Sequence, residues 1–318
     1  MKTISEAALK KAIVAVEAER VKHPVALRPD RAELVKLRKD RRTSEKMVAE
    51  FLTQAGLDIK RFRSLQEQRS AEIEHAVKRQ KADALKRASR AQDTLHSSIL
   101  DQSKVLGDLS ARGDFFPNPS FSLERPFLIW TTPLLSIDSS SIASFGSWAK
   151  FKYETSDLGG AQKVSFYFFW RNPFSEYAVI NAATFMSATG HLQAHAPWTI
   201  GVNTSGVTAW ALFGLWHGFP NNPTSGEYAR EFLGQTVAFG STTSGGETDG
   251  ASVSAGANLH KTMFAVAPGS YVVFEVAISL DYGNDEGDIK ADFASGGFKI
   301  WCPVVVFSLL NSPSSVMG

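Results

Sequence analysis

The fold is decided by residues 58–109, DIKRFRSLQEQRSAEIEHAVKRQKADALKRASRAQDTLHSSILDQSKVLGDL. This stretch contains no proline and a single glycine, Gly107, so it predicts one long helix. Asp58 is a residue type that caps helix N-termini, and Gly56 suits the left-handed position that ends a preceding helix. At 1.5 Å per residue, the helix would be roughly 75 Å long.

Apolar residues recur along this helix at a spacing of eleven, which is 3.67 residues per turn and keeps them on one face. The stripe is narrow, and basic side chains occupy the other faces. Because packing supplies most of the stability of a helix in a protein, this one needs a partner. The partner is either the earlier helices of the same chain, in a helical hairpin, or other copies, in a coiled coil. The predicted oligomerisation stripe is Phe62, Ile73, Val77, Leu95, Ile99 and Leu106.

Charge and aromatic content divide the 318 residues into two parts. Residues 1–112 hold 25 Lys and Arg against 16 Asp and Glu, whereas residues 113–318 hold 9 against 16. All seven tryptophans and 20 of the 22 phenylalanines follow residue 112. We therefore expect a basic helical region over 1–112 and an aromatic-rich domain over 113–318.

Three helices are expected in the first part, over about 3–22, 30–55 and 58–109. Thr3 or Ser5 can cap the first, and Pro24 follows its end. The densest basic cluster is KLRKDRR, residues 36–42. Acidic residues are interspersed with it and aromatic residues are lacking, so nucleic-acid binding is not the favoured interpretation.

Short runs rich in aromatic and β-branched residues follow Phe121, separated by turn residues. Residues 148–154 and 271–280 alternate apolar with polar, which is typical of antiparallel strands. The glycine- and serine-rich stretch 240–256 predicts a long flexible loop. The predicted fold class is α+β in two segregated parts: an N-terminal helical bundle or coiled-coil stalk, then an antiparallel β-sandwich of jelly-roll or Greek-key type.

No motif in the sequence carries specific chemistry. Nucleophile elbow, zinc-protease, P-loop and dinucleotide-binding patterns are all missing, so we expect no enzyme and no cofactor. Cys302 is the single cysteine, which excludes a disulfide within the chain and a thiolate zinc site. The acidic stretch 280–293 offers one candidate metal site, for structural calcium, at Asp281, Asp285 and Asp288. A solvated hairpin loop is the alternative interpretation of this stretch.

The ligand-binding candidates lie beside a loop that contains two prolines, residues 218–227. An exposed tryptophan ring at its start could stack on a sugar or on a partner surface. The other tryptophans follow strand patterns and are simpler to place in the core. The predicted ligand-binding residues are Trp216, His217, Phe219, Asn221 and Asn222.

The N-terminal residues lack the long uncharged segment of a secretory signal, and no apolar run approaches the roughly 20 residues that span a bilayer. We expect a protein made in the cytoplasm without a signal peptide, then released or associated with a particle.

The favoured function is non-enzymatic assembly and recognition. The helices would oligomerise or dock on a larger particle, and the β-sandwich would bind a receptor, a glycan or a neighbouring subunit. A helical stalk with a β-sandwich head is similar to the architecture of trimeric fibre tips, receptor-binding toxin components and some shell-forming proteins. Two alternatives are a toxin-like protein whose amphipathic helices engage a membrane, and a capsid-like shell protein whose basic helices face nucleic acid.

Overall fold

The computed structural model of the chain describes residues 5–22, 31–112, 120–197, 203–217 and 233–311. These residues form three helices and then twelve strands. The helices are α1 (Glu6–Lys22), α2 (Arg31–Gln54) and α3 (Ile59–Arg112). The strands are β1 (Ser120–Leu123), β2 (Leu128–Thr131), β3 (Ile137–Ser141), β4 (Trp148–Thr155), β5 (Gly159–Arg171), β6 (Ala178–His195), β7 (Thr204–His217), β8 (Leu233–Gly245), β9 (Thr248–Val266), β10 (Tyr271–Asn284), β11 (Asp288–Asp292) and β12 (Lys299–Leu309).

The strands form two antiparallel sheets. Sheet A has seven strands in the order β1-β12-β4-β11-β6-β9, with β3 beside β4. Sheet B has five, in the order β2-β5-β10-β7-β8. Strands β11 and β12 occupy successive parts of one position, since each pairs with both β4 and β6. Neighbouring strands therefore come from distant parts of the chain, as in Greek-key connections.

The two sheets pack face to face as a β-sandwich. Alternate residues along each strand point into a shared core, which includes Phe168 and Phe274 from sheet B and Phe307 from sheet A. The rings of Phe274 and Phe307 lie 5.7 Å apart across it. The hydroxyls of Tyr153 and Tyr282 meet at 2.9 Å and link the sheets near one end. The predicted antiparallel β-sheets are thus confirmed.

Helix α1 lies on the outer face of sheet B. Ser5 caps it by accepting a hydrogen bond from the Ala8 N–H at 3.2 Å. Its buried apolar residues recur at helical spacing and pack with sheet B residues that include Tyr167, Trp216 and Val273. The helix contributes Leu9, Ala12, Ile13 and Val16 to this contact.

Helix α3 lies on the outer face of sheet A. Asp58 caps it as predicted, accepting the Arg61 N–H at 2.9 Å. The helix contacts β1, β6, β9 and β12. Among the described residues, Arg69 forms an ion pair with Glu247 at 3.0 Å and Lys81 forms one with Asp292 at 2.7 Å, and both pairs join the helix to the β-sheets. No helix in the described part of the chain is long and apolar enough to cross a membrane.

The structure corrects the predicted partner of the α3 stripe. Val77 is buried, but it packs on sheet A of its own chain, beside Gly250. Ile73 is half-buried on the same helix. The side chains of the remaining stripe residues, which are Phe62, Leu95, Ile99 and Leu106, lie outside the described residues.

The described residues do not confirm a helical bundle or a coiled coil. Helix α2 makes few contacts with α3, and its described side chains are mostly exposed. Helices α1 and α3 instead cover opposite faces of the sandwich. The two parts of the sequence are therefore in contact in the fold, because each outer face of the sandwich carries apolar surface that a helix can bury.

The predicted flexible loop at 240–256 is wrong. Strand β8 continues to Gly245, and β9 begins at Thr248 after a tight turn at Gly246, whose φ is 80°. The small residues serve close packing here. A Cβ atom on Gly250 would lie 2.7 Å from Cγ1 of Val77, so glycine lets α3 approach the sheet.

Candidate functional site

The outer face of sheet B is unusually aromatic. Trp130 on β2, Tyr167 on β5, and Trp210 and Trp216 on β7 all project away from the core, because their strand neighbours point into it. Glu275 lies among them on β10, directly opposite Tyr167 in the ladder. We call these five residues the sheet B face.

Helix α1 covers one half of the sheet B face. Trp216 and Tyr167 are buried beneath it, and a small cavity remains between Ile13, Val16 and these two rings. Trp210 lies farther along β7 and is half-buried. The face therefore has a covered half, around Tyr167, Trp216 and Glu275, and an open half around Trp210.

Charged side chains meet under α1. The Glu17 carboxylate accepts hydrogen bonds from the Tyr167 hydroxyl at 2.5 Å and from Lys163 Nζ at 2.8 Å, both on its Oε1 atom. Lys163 also donates to Oε1 of Glu275 at 2.5 Å. One ammonium group thus bridges a carboxylate of the helix and a carboxylate of the sheet.

Glu275 is held by three donors from its own sheet. Besides Lys163, it accepts hydrogen bonds from the Ser165 hydroxyl at 2.7 Å and from the Trp216 indole N–H at 3.0 Å. Its side chain is completely buried. Such a charge is tolerated only where hydrogen bonds and a counter-ion replace water, and both are present here.

Tyr167 serves as a permanent donor in this cluster. Burial, followed by the negative charges of Glu275 and Glu17, holds the pKa of its hydroxyl well above the usual value. The hydroxyl therefore stays protonated at physiological pH. The arrangement of Tyr167 and Lys163 is suited to binding a carboxylate.

The structure corrects the predicted exposure of Trp216. Its ring is only 4% exposed, since α1 lies over it and its N–H is directed at Glu275. His217 ends β7, but its side chain lies outside the described residues. Phe219, Asn221 and Asn222 also lie outside them.

The predicted metal site is not formed in the described residues. Asp281 is exposed on β10 in sheet B, Asp285 follows in the turn, and Asp288 begins β11 in sheet A. No three of the described His, Cys, Asp and Glu side chains form a group that could hold a metal ion. The acidic stretch passes from one sheet to the other, so its carboxylates diverge.

Sequence reasoning missed Glu17, Lys163, Tyr167, Trp210 and Glu275 as a group. A weak signal was present, since Glu275 is the single charge in the apolar run YVVFEVAISL, residues 271–280. That run was interpreted as an antiparallel strand in which apolar and polar residues alternate. Glu275 shares Lys163 with Glu17 of α1, which is far away in the sequence, and spacing within one strand could not reveal that link.

A second buried polar cluster lies under α3. The Asp292 carboxylate binds Lys81 and accepts hydrogen bonds from the backbone N–H groups of Ala294 and Ser295. Burial raises the pKa of Asp292, but the bonds from Lys81 and Ser295 outweigh it and bring the pKa to about 2. Burial, and then the charge of Lys81, lower the pKa of His191 to about 4, against the opposing charge of Asp292.

Comparison with known proteins gives little similarity. No family model matches the sequence, and no curated protein matches it. TmCBM61 in complex with β-1,4-galactotriose is 7% identical with a TM-score of 0.19, over 50% of this chain and 70% of that one. CsCBM6-3 from Clostridium stercorarium in complex with cellobiose is 14% identical with a TM-score of 0.18, over 61% and 93%.

A third structure belongs to a phage. The enzymatically active domain of tailspike protein 4 of bacteriophage CBA120 is 11% identical with a TM-score of 0.23, over 60% of this chain and 19% of that one. The partly similar structures thus include carbohydrate-binding modules and a tailspike domain. Similarity at this level does not assign a function to the chain.

Replacing Lys163 tests the charge cluster. Lys163→Met removes the cation between the two carboxylates, so we expect the free energy of unfolding to fall by about 3 kcal/mol. This value is near the lower end of the loss expected when a buried ion pair is broken, because Lys163 is partly exposed. Adding Glu17→Gln should recover part of the loss by removing one carboxylate charge. Urea unfolding measures both. The control is Lys152→Met, an exposed lysine on β4, and equal effects of the two lysine substitutions would contradict the role of Lys163.

His191 should make stability depend on pH. Its folded pKa of about 4 lies below the value of about 6.5 for a free imidazole, so the unfolded chain binds the proton first as pH falls. Stability should therefore decline from about pH 6.5 to 4, by at most about 1.4 kcal/mol per pH unit. The decline from Asp292 should begin lower, below about pH 4, where the unfolded carboxyl takes up its proton.

Urea unfolding at pH 7.0, 5.5 and 4.5 measures this dependence. His191→Gln should flatten the slope, whereas His75→Gln, at an exposed position on α3, should leave it unchanged. If the slope persists in the His191→Gln variant, the pH dependence of stability comes from other groups.

Proposed function

We propose that the chain is a non-enzymatic recognition protein whose β-sandwich binds a glycan on the sheet B face. The proposal rests on one observation, the presence of Trp130, Tyr167, Trp210 and Trp216 together with Glu275 on the outer face of a single sheet. Such rings offer apolar surface together with an N–H or O–H group. A sugar ring has the matching chemistry, with C–H faces that stack and hydroxyls that form hydrogen bonds.

The open half of the face is where binding can begin. Trp210 pairs with Ser279 in the ladder, and the hydroxyls of Thr208 and Ser241 lie 2.7 Å apart on the adjoining strands. Asp281 is exposed two residues beyond Ser279. An aromatic ring bordered by hydroxyl and carboxylate groups is thus accessible while α1 remains in place.

We also infer that the sandwich is a jelly roll. The strands β4, β11 with β12, β6 and β9 lie side by side in sheet A, and β5, β10, β7 and β8 lie side by side in sheet B. Eight strand positions in two sheets, connected across the sandwich, fit a pair of interlocked Greek keys. This fold leaves a broad outer face on sheet B for a ligand.

Assembly is the second part of the proposal. The helical elbow, which we define as α2, the turn at 55–58 and the first turns of α3, exposes a group of large apolar side chains. Met47 is 65% exposed and Phe51 is 67% exposed. The other members are Val48, Leu57 and Leu65. Exposed apolar residues concentrated on one element favour an interaction surface, and we propose that the elbow associates with the elbow of a second copy.

Substitution at the open half tests glycan binding. Electrophoresis of the full chain in native gels that contain neutral β-glucan, galactan or polygalacturonate should show retardation in at least one gel. Trp210→Ala should weaken that binding about tenfold, since one ring stacked on a ligand contributes about 1.4 kcal/mol. The matched control is Trp148→Ala, a half-buried tryptophan on the outer face of sheet A. Absence of retardation in every gel, or equal losses in the two variants, would contradict the proposal.

Light scattering tests assembly by the elbow. The full chain should have the mass of two or more copies at micromolar concentration, and Phe51→Glu should reduce it to one, because a charge would be buried in the contact. Leu134→Glu changes a side chain of the β domain with the same 67% exposure and should leave the mass unchanged. A wild-type chain that is monomeric at high concentration would overturn this part of the proposal.

A further inference from the structure

Glu17 is the one member of the buried charge cluster that does not belong to the β domain. Its Oε1 atom is bound by Lys163 and Tyr167 of strand β5, at 2.8 and 2.5 Å. We call these two donors the carboxylate cradle. A cationic and a neutral donor that meet at one oxygen form a specific arrangement for a carboxylate.

The carboxylate cradle is held in place by the sheet itself. Lys163 is fixed by Glu275, and Glu275 is fixed in turn by Ser165 and Trp216. None of these contacts involves α1. Lys163 therefore keeps its position when Glu17 leaves, and a donor that is positioned in advance needs less ordering when a ligand enters.

Aromatic rings flank the carboxylate cradle. Lys163 Nζ lies 5.5 Å from the centre of the Trp130 ring, and Trp216 lies on the other side, hydrogen-bonded to Glu275. A ligand that fills this space should combine a carboxylate with a ring whose C–H face can pack on an aromatic side chain. A uronic acid residue of an acidic glycan has both features.

The contact between α1 and the sheet is modest enough for a ligand to compete with it. Leu9, Ala12, Ile13 and Val16 are the buried apolar residues of the helix in this contact, and one of them is alanine. A buried ion pair adds little net stability, because the desolvation of both charges offsets their attraction. A helix of this length is also marginal when it is not packed.

We infer that the covered half of the sheet B face is a binding site for a carboxylate-bearing sugar, and that Glu17 of α1 occupies the place of the sugar carboxylate. This inference rests on the proposed glycan-binding function and specifies the ligand class of its covered half. Helix α1 and the acidic sugar use the same two donors, so only one of them can occupy the covered half at a time.

Two substitutions on α1 provide the test. Ile13→Asp places a charge in the buried contact and releases the helix, whereas Val14→Asp places the same charge at a position that is 44% exposed. Isothermal titration with trigalacturonate should show at least tenfold tighter binding by the Ile13→Asp chain than by wild type or Val14→Asp. Glu17→Gln should shift affinity in the same direction by a smaller factor. The affinity for the fully methyl-esterified trisaccharide should increase much less between wild type and the Ile13→Asp chain.

The carboxylate cradle is tested in the released background. Adding Tyr167→Phe or Lys163→Met to Ile13→Asp should remove the preference for the acid over its ester, and the Tyr167→Phe variant keeps the charge cluster if the lysine variant proves unstable. A synthetic peptide of residues 5–22 should compete with trigalacturonate for the Ile13→Asp chain.

Three results would overturn the inference. The first is equal affinity of the Ile13→Asp and Val14→Asp chains for trigalacturonate. The second is equal binding of acid and ester by the released chain. The third is binding of poly-glutamate without binding of trigalacturonate, which would assign the site to an acidic peptide. Gel retardation that depends on Trp210 would persist in each case if the proposed function is right, so the two failures are distinguishable.

Discussion

Two sheets that bury their apolar faces against each other leave two outer faces, and covering those faces decides the position of the helices. Strand alternation places Phe274 and Phe307 inside and sends Tyr167 and Trp216 outward on sheet B. Aromatic rings of this size are not left wholly in water when a helix can bury them. The helices α1 and α3 are therefore outer layers of the sandwich, and the elbow formed by α2 and the start of α3 is the part that remains exposed.

The buried charges under α1 fix the position of the helix on the sheet more than they stabilise the fold. Apolar contacts of Leu9, Ile13 and Val16 would tolerate a helix displaced along the sheet, because such contacts are not directional. A shift of one turn, about 5.4 Å, would take Glu17 away from Lys163 and Tyr167 and leave charges buried without their counter-ion. The energetic penalty of that error fixes the helix in one register. Lys81 and Asp292 act in the same way for α3 on the opposite face.

The sequence indicated which side of a helix or strand is apolar better than it indicated what that side packs against. The eleven-residue spacing predicted one apolar side of α3, and Val77 on that side is buried, but periodicity contains no information about what covers it, which is sheet A. The stretch 240–256 was predicted as a loop because small polar residues are common in loops, whereas here small residues permit a close approach of helix and strand. Trp216 and Glu275 could not be placed, since Glu17, the α1 residue that shares Lys163 with Glu275, lies more than 190 positions earlier in the sequence.

Covering the proposed binding face with a segment of the same chain has a thermodynamic consequence. If Glu17 and a ligand carboxylate need the same donors, each excludes the other, and the apparent affinity is the intrinsic affinity multiplied by the fraction of uncovered molecules. Any interaction that strengthens the docking of α1 then weakens ligand binding by the same free energy, and the reverse also holds. The open half around Trp210 is not subject to this exclusion, because α1 does not bury it. One sheet can therefore contain two contact sites along β7. The site at Trp210 is always accessible, and the site at Trp216 is accessible only when α1 is released.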